Sequence, residues 1–168
     1  MADLPLCVLP DPILRQKARP VTAFDGALQR LVEDLIETMY AHDGIGIAAP
    51  QVGRNLQVFV ANPSRTRGRE LVLVNPALER RSGSARVVEG CLSVPDVWER
   101  VARAARVRVC GSDSLGHPVA ADADGLLAIV LQHELDHLQG RLFVDRLPWL
   151  RRRRAMRKAS ERHERVCA

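Results

Sequence analysis

The tightest constraint on how this chain folds is Gln132-His133-Glu134-Leu135-Asp136-His137, set inside residues 125–140. Leu126, Leu127, Ile129, Val130 and Leu131 precede the motif and Leu138 follows it, with Asp122 and Asp124 in front and Gly140 behind. That pattern predicts a short buried helix with acidic residues near its start and a glycine stop. Side chains four apart on a helix share one face, their Cβ atoms about 5–6 Å apart. His133 and His137 can therefore grip one metal ion while Glu134 points toward its remaining positions. Read alone, the same pair also fits two satisfied core histidines. Catalytic metals of this kind take three protein ligands plus water, so the question passes to the rest of the chain.

Composition sets the frame for that search. At 168 residues the chain is expected to form one domain able to bury about two-thirds of its unfolded surface. It has no run of about 18 apolar residues, and Met1-Ala2-Asp3-Leu4-Pro5 lacks the basic start and apolar core of a secretory signal. A cytoplasmic protein is expected. Cys7, Cys91, Cys110 and Cys167 are scattered without a C-x-x-C pair, against a disulfide framework or a zinc ribbon and in favour of free thiols, one of them a candidate ligand. The formal charge of +5 is uneven: residues 146–168 hold nine Lys or Arg against two Glu, a net of +7, which leaves −2 for residues 1–145. The high isoelectric point thus describes a tail and not the body.

Residues 4–22 carry four prolines and are expected to run extended over the surface. From Asp25, the spacing of Leu28, Leu31, Leu35, Ile36 and Met39 predicts an amphipathic helix ending near His42-Asp43-Gly44. Residues 44–53 follow as a stretch of small residues, with Gly44 and Gly46 able to bring backbone close to a ligand; alone, they also fit a plain turn. Residues 56–61, 71–74 and 107–110 then read as short strands, punctuated by Asn62-Pro63, Asn75-Pro76 and Gly111-Ser112. Residues 112–117 read as a loop leading to a weaker run at 118–121. The order gives an α+β domain, with mostly antiparallel sheets around the central metal-binding helix and a basic C-terminal helix.

Glu89-Gly90-Cys91-Leu92-Ser93 lies just beyond the apolar pair Val87-Val88, where Cys91 can end a strand with its sulfur toward the histidine helix. A lone cysteine is more often a buried small hydrophobe. Beside two imidazoles, its thiolate completes a three-ligand site with a fourth position for water.

Taken together, residues 44–51, 89–93 and 133–137 resemble, in order and spacing, the three signature motifs of the peptide deformylases. Residues 10–15 and 140–145 are similar to that family too, so the likeness covers about residues 6–147. The resemblance implies a catalytic domain over 1–147 and a basic helical tail over 148–168. It implies removal of the formyl group from the formylmethionine of newly made polypeptides. Cys91, His133 and His137 would hold the metal, Glu134 would be general base and later acid, and Gln51 with the Leu92 main-chain N–H would stabilise the oxyanion. A bound metal lowers the pKa of its water toward ~7, giving hydroxide at neutral pH. Ile45, Gly46, Leu126, Ile129 and Val130 would receive the methionine end of the substrate, though Leu126, Ile129 and Val130 each also read as core.

Further implications of the resemblance are a buried Glu89–Arg103 ion pair and Fe²⁺ as the working ion. The donor set itself suits zinc or iron, with zinc the stronger binder of the two, and another divalent metal can take the same place. The family's basic C-terminal helices suggest ribosome docking by residues 147–166, which otherwise read as a solvated helix. Trp98 departs from the family, in a loop after a strand where some relatives carry a basic residue near the substrate's downstream end. Two rivals stand beside this reading: an H-E-x-x-H zinc endopeptidase with Glu161 or Glu164 as third ligand, and a non-catalytic ribosome-binding relative.

Overall fold

A computed structural model describes the backbone of residues 2–167 and the side chains of residues 2–160. Asp25 accepts hydrogen bonds from the Ala27 and Leu28 N–H groups and so caps α1 (Gly26–Ala41). Its buried side chains, Leu28, Val32, Leu35, Thr38 and Met39, fall on one face as the spacing predicts. The small-residue stretch resolves into a short strand, β1 (Gly46–Ala48), and a 3₁₀ turn over Ala49–Val52. β2 (Val58–Ala61), β3 (Leu71–Ser82), β4 (Ala85–Cys91), β5 (Val94–Arg103), β6 (Arg106–Ser112) and β7 (Pro118–Asp124) follow. α2 (Gly125–Leu138) and α3 (Trp149–Cys167) complete the order.

The strands form a five-stranded antiparallel sheet, β1-β2-β3-β6-β7, and a separate antiparallel hairpin, β4-β5. α2 packs against the larger sheet through Ala128, Val130, Leu131 and Leu138, which meet Phe59, Leu73, Val107 and Val109. α1 closes a neighbouring part of the core through Val32, Leu35 and Met39 against Ile47, Val58 and Val60. The fold is α+β, as expected.

Three expectations need correction. β3 does not stop at Asn75-Pro76; a register shift between Val74 and Ala77 carries the strand past the proline, whose missing N–H a bulge can tolerate. Residues 4–22 are strapped into the core as well as extended: Leu14 is fully buried in a 3₁₀ turn over Pro12–Arg15. The tail helix is not merely solvated, because Ala155 and Ala159 are buried with Val97, Val101 and Phe143.

α2 ends where Gly140 turns the chain at φ +67°, and a Cβ there would sit 2.6 Å from the Arg15 carbonyl oxygen. Gly140→Ala is expected to cost about 1–3 kcal/mol, read as a lowered midpoint in urea unfolding; an unchanged midpoint would show that the strap yields freely.

Candidate metal centre and cleft

One turn of α2 brings His133 and His137 together, their ring centroids 5.1 Å apart. β4 ends at Cys91, whose Sγ lies 3.2 Å from His137 Nε2. Donor atoms of Cys91, His133 and His137 all lie within 4.8 Å of one another. The sulfur reaches this point because Leu92 and Ser93 form the tight turn of the hairpin, with Cys91 and Val94 paired across it. Two soft or borderline nitrogen donors and a sulfur suit a divalent transition metal. The buried His137 Nδ1 and Glu134 Oε2 have no hydrogen-bond partner among the described residues, as befits a site built to hold something more.

Around these donors lies a charged network that sequence reasoning found only in part. Arg103, its side chain fully buried, donates to Glu89 at 2.7 and 2.8 Å and to Asp136 at 2.5 Å. Arg146 closes the chain on Asp136 with two bonds of 2.6 Å. Glu89 also reaches the metal donors, its Oε2 lying 2.8 Å from His133 Nδ1. A carboxylate there holds the proton on Nδ1 and leaves Nε2 as the donor, the usual arrangement behind a metal-bound histidine. The Glu89–Arg103 pair is as the resemblance implies. Asp136, inside the motif itself, and Arg146 were missed, although the buried face of α2 was the signal for the first.

Electrostatics follow from this packing. Burial would raise Glu89, but hydrogen bonds from Arg103 and His133 outweigh it and bring the carboxyl down to about 2. Burial likewise opposes a charge on His133, yet Cys91 and Glu89 lift it well above the ordinary value. His137 goes well below, through burial and then the nearby positive charges of His133 and Arg103. Glu134 is pushed up to about 7, chiefly by burial.

A cleft of about 610 Å³ opens over this centre, lined by Ile45, Gly46, Gln51, Leu92, Leu126, Ile129, Val130, Cys91, His133 and Glu134. It gathers every residue expected to hold the metal, do the chemistry or receive the substrate except His137, which meets Cys91. Ile129 and Val130 are at once core and cleft wall, so the two readings of them merge. Gln51 is buried; its Oε1 accepts the Ala48 N–H at 2.8 Å, and its Nε2 points to Ser93 Oγ at 3.2 Å and Cys91 Sγ at 3.6 Å. Gly46 has no room for a side chain, since a Cβ would collide with a Glu134 carboxylate oxygen and lie 2.7 Å from Val130. Trp98 stands within β5, not in a loop after a strand. Pro95, a residue uncommon inside strands, hid that strand from the sequence pattern.

Residues 4–153 match the family model described as polypeptide deformylase. This chain belongs to the peptide deformylase family. The enzyme is 48% identical over 159 residues to a peptide deformylase of Alkalilimnicola ehrlichii, covering 94% of this chain and 89% of that one. Its structure is similar to the crystal structure of a peptide deformylase from Legionella pneumophila, with a TM-score of 0.94 and 41% identity over 99% and 98% of the two chains. The deformylase from Synechococcus elongatus, solved in complex with actinonin, gives 0.88 and 43% over 94% and 88%. The deformylase is thus a hydrolase that removes the N-formyl group of formylmethionyl polypeptides, with a Cys-His-His cluster fit for a metal. The endopeptidase and non-catalytic readings are not favoured, and the side chains of Glu161 and Glu164 lie outside the described residues. Cys7, Cys91 and Cys110 are free, while Cys167 is also outside the described side chains. No described helix is long and apolar enough to cross a membrane.

The depressed Glu89 pKa has a sign that can be checked. A carboxyl at about 2 when folded and ~4.3 when unfolded stabilises the fold fully above the upper value and loses that contribution as pH falls through the lower. The stability gap between wild type and Glu89→Gln is expected to be on the order of 3 kcal/mol near neutrality and to narrow as pH drops below ~4. Urea unfolding at several pH values measures it, and a gap that stays constant into that window would contradict the assignment.

Proposed function

We propose that Glu134 is the proton carrier of the deformylation, and that Gln51 and the Leu92 main-chain N–H hold the formyl oxygen as charge builds on it. The observation that carries this reading is a buried Glu134 carboxylate with one oxygen lacking a partner among the described residues, set in the same cleft as Cys91 and His133. When bound by Cys91, His133 and His137, a divalent ion supplies Lewis-acid activation of water at neutral pH. Glu134, held near neutrality by burial, takes a proton from water as its oxygen adds to the formyl carbon. It returns the proton to the methionine nitrogen as the C–N bond breaks, releasing formate and a free amine. Gln51 is preorganised for its part: Ala48 fixes its oxygen, which leaves the amide N–H₂ to donate. Ile45, Leu126, Ile129 and Val130 offer the methionine side chain an apolar wall, and Gly46 offers main-chain groups to the substrate backbone.

The working ion in this reading is Fe²⁺, with zinc or another divalent metal able to take the same donors. The enzyme acts in the cytoplasm on nascent chains. Residues 148–168 are the ribosome-docking element, a helix seated on the domain through Ala155 and Ala159; Arg151, Arg152, Arg153, Arg154, Arg157 and Lys158 are exposed on α3 and suit phosphate contacts of the sequence-independent kind.

Glu134→Gln is expected to lower kcat by about 10²–10⁴-fold while keeping its metal, whereas Cys91→Ser loses metal on dialysis. Formate release and metal content per chain decide this; a wild-type rate in the first variant or full metal in the second sinks the assignment. For docking, charge reversal at Arg153 and Arg154 is a cleaner test than truncation, which would strip Ala155 and Ala159 from the core. The doubly reversed chain should co-sediment with ribosomes more weakly and with a shallower salt dependence; unchanged binding rules docking out.

A further inference from the structure

The hairpin turn that delivers Cys91 to the metal donors also carries a hydroxyl into the interior. Ser93 is fully buried, and a buried hydroxyl costs free energy unless it is hydrogen-bonded. Its Oγ accepts a bond from Gln51 Nε2 at 3.2 Å. The Gln51 amide is thereby held at both ends, since its Oε1 accepts the Ala48 N–H at 2.8 Å. The terminal torsion of a glutamine is otherwise broad. Ala48 decides which way round the amide lies, because a reversed amide would set two donors against each other. Ser93 decides the tilt of its plane. An amide nitrogen carries two hydrogens; with one engaged by Ser93, the other is left for the side on which Cys91 Sγ lies, 3.6 Å from Nε2. The two residues also share one brace, as the Cys7 N–H donates to the Gln51 carbonyl at 2.7 Å and the Leu9 N–H to the Ser93 carbonyl at 2.9 Å.

We propose that Ser93 is a positioning residue for deformylation: its hydroxyl takes one hydrogen of the Gln51 amide and so aims the second at the formyl oxygen. The role deepens the reading of Gln51 given above and rests on it. Leu92 and Val94 line the cleft and Ser93 does not, so the hydroxyl acts through Gln51 and not on the substrate. Its loss leaves the amide tethered at Ala48 alone and free to rock. The contact that strengthens as charge builds is then weakened, while binding of the uncharged substrate is little changed. One neutral hydrogen bond corresponds to about 2- to 10-fold in rate.

A double-mutant cycle on the metal-loaded full chain tests this, with formate release from a formyl-Met peptide as the rate. Ser93→Ala should lower kcat by about 2- to 10-fold with KM and metal content per chain unchanged, and Gln51→Leu should lower kcat by ~10²–10³-fold. In the Gln51→Leu background, Ser93→Ala should change kcat no further. NMR relaxation of the Gln51 side-chain amide nitrogen in the zinc-loaded chain gives a second readout: an order parameter of about 0.85 in wild type, as in rigid backbone, dropping below ~0.6 in Ser93→Ala. A double variant slower than Gln51→Leu by the full Ser93→Ala factor overturns the proposal, as does a Ser93→Ala defect that lies in KM or in metal content. So does Ser93→Ala at wild-type kcat, or a Gln51 amide already mobile in wild type, which needs no variant to fold. Gln51→Leu at wild-type kcat would overturn the catalytic reading of Gln51 and this proposal with it.

Discussion

Arg103 is a guanidinium with no water to solvate it, and the rest of the centre is arranged around satisfying it. An isolated buried cation costs several kcal/mol, and its burial is tolerable only when partners surround it with good geometry. Glu89 meets it from β4 and Asp136 from α2, while the Gln132 carbonyl lies 3.4 Å away. Asp136 in turn receives Arg146, so two cations and two carboxylates balance. Because the partners sit on different elements, satisfying the charge also sets the β4-β5 hairpin against α2. That setting is what brings Cys91 Sγ to His137 Nε2 and aims Glu89 at His133 Nδ1.

The same packing decides what the cleft can do. α2 lies so close to β1 that Gly46 has no space beside Glu134, and this crowding removes water from the carboxylate and raises its pKa. Gln51 is held from the opposite side by Ala48 and Ser93. The N-terminal strap ties these parts together, since the Cys7 N–H donates to the Gln51 carbonyl and the Leu9 N–H to the Ser93 carbonyl. Prolines spaced along that strap keep it from folding on itself and leave its N–H groups free for such bonds.

Both central helices were legible in the sequence because their periodicity and caps are local properties: Asp25 opens α1 and the apolar run around His133 and His137 marks α2. The β4-β5 hairpin was largely illegible. Only the family resemblance pointed to the buried Glu89–Arg103 pair, and no periodicity of the residues themselves revealed the two paired strands that carry it. The far half of β3 was hidden by a proline that only a bulge accommodates, and the docking of α3 by two alanines too small to make an apolar stripe.

By itself, then, the sequence set two histidines and a glutamate at helical spacing, and its motifs singled out Cys91 after a glycine as the partner that the fold brings beside the histidines. Those choices are written in short stretches, where spacing alone dictates who shares a face. Tertiary structure decided how they cooperate. It chose which histidine Glu89 orients, where the Gln51 amide points and how Glu134 is dried. Each of these depends on contacts between segments tens of residues apart, and such distances are set by packing and charge satisfaction across the whole domain.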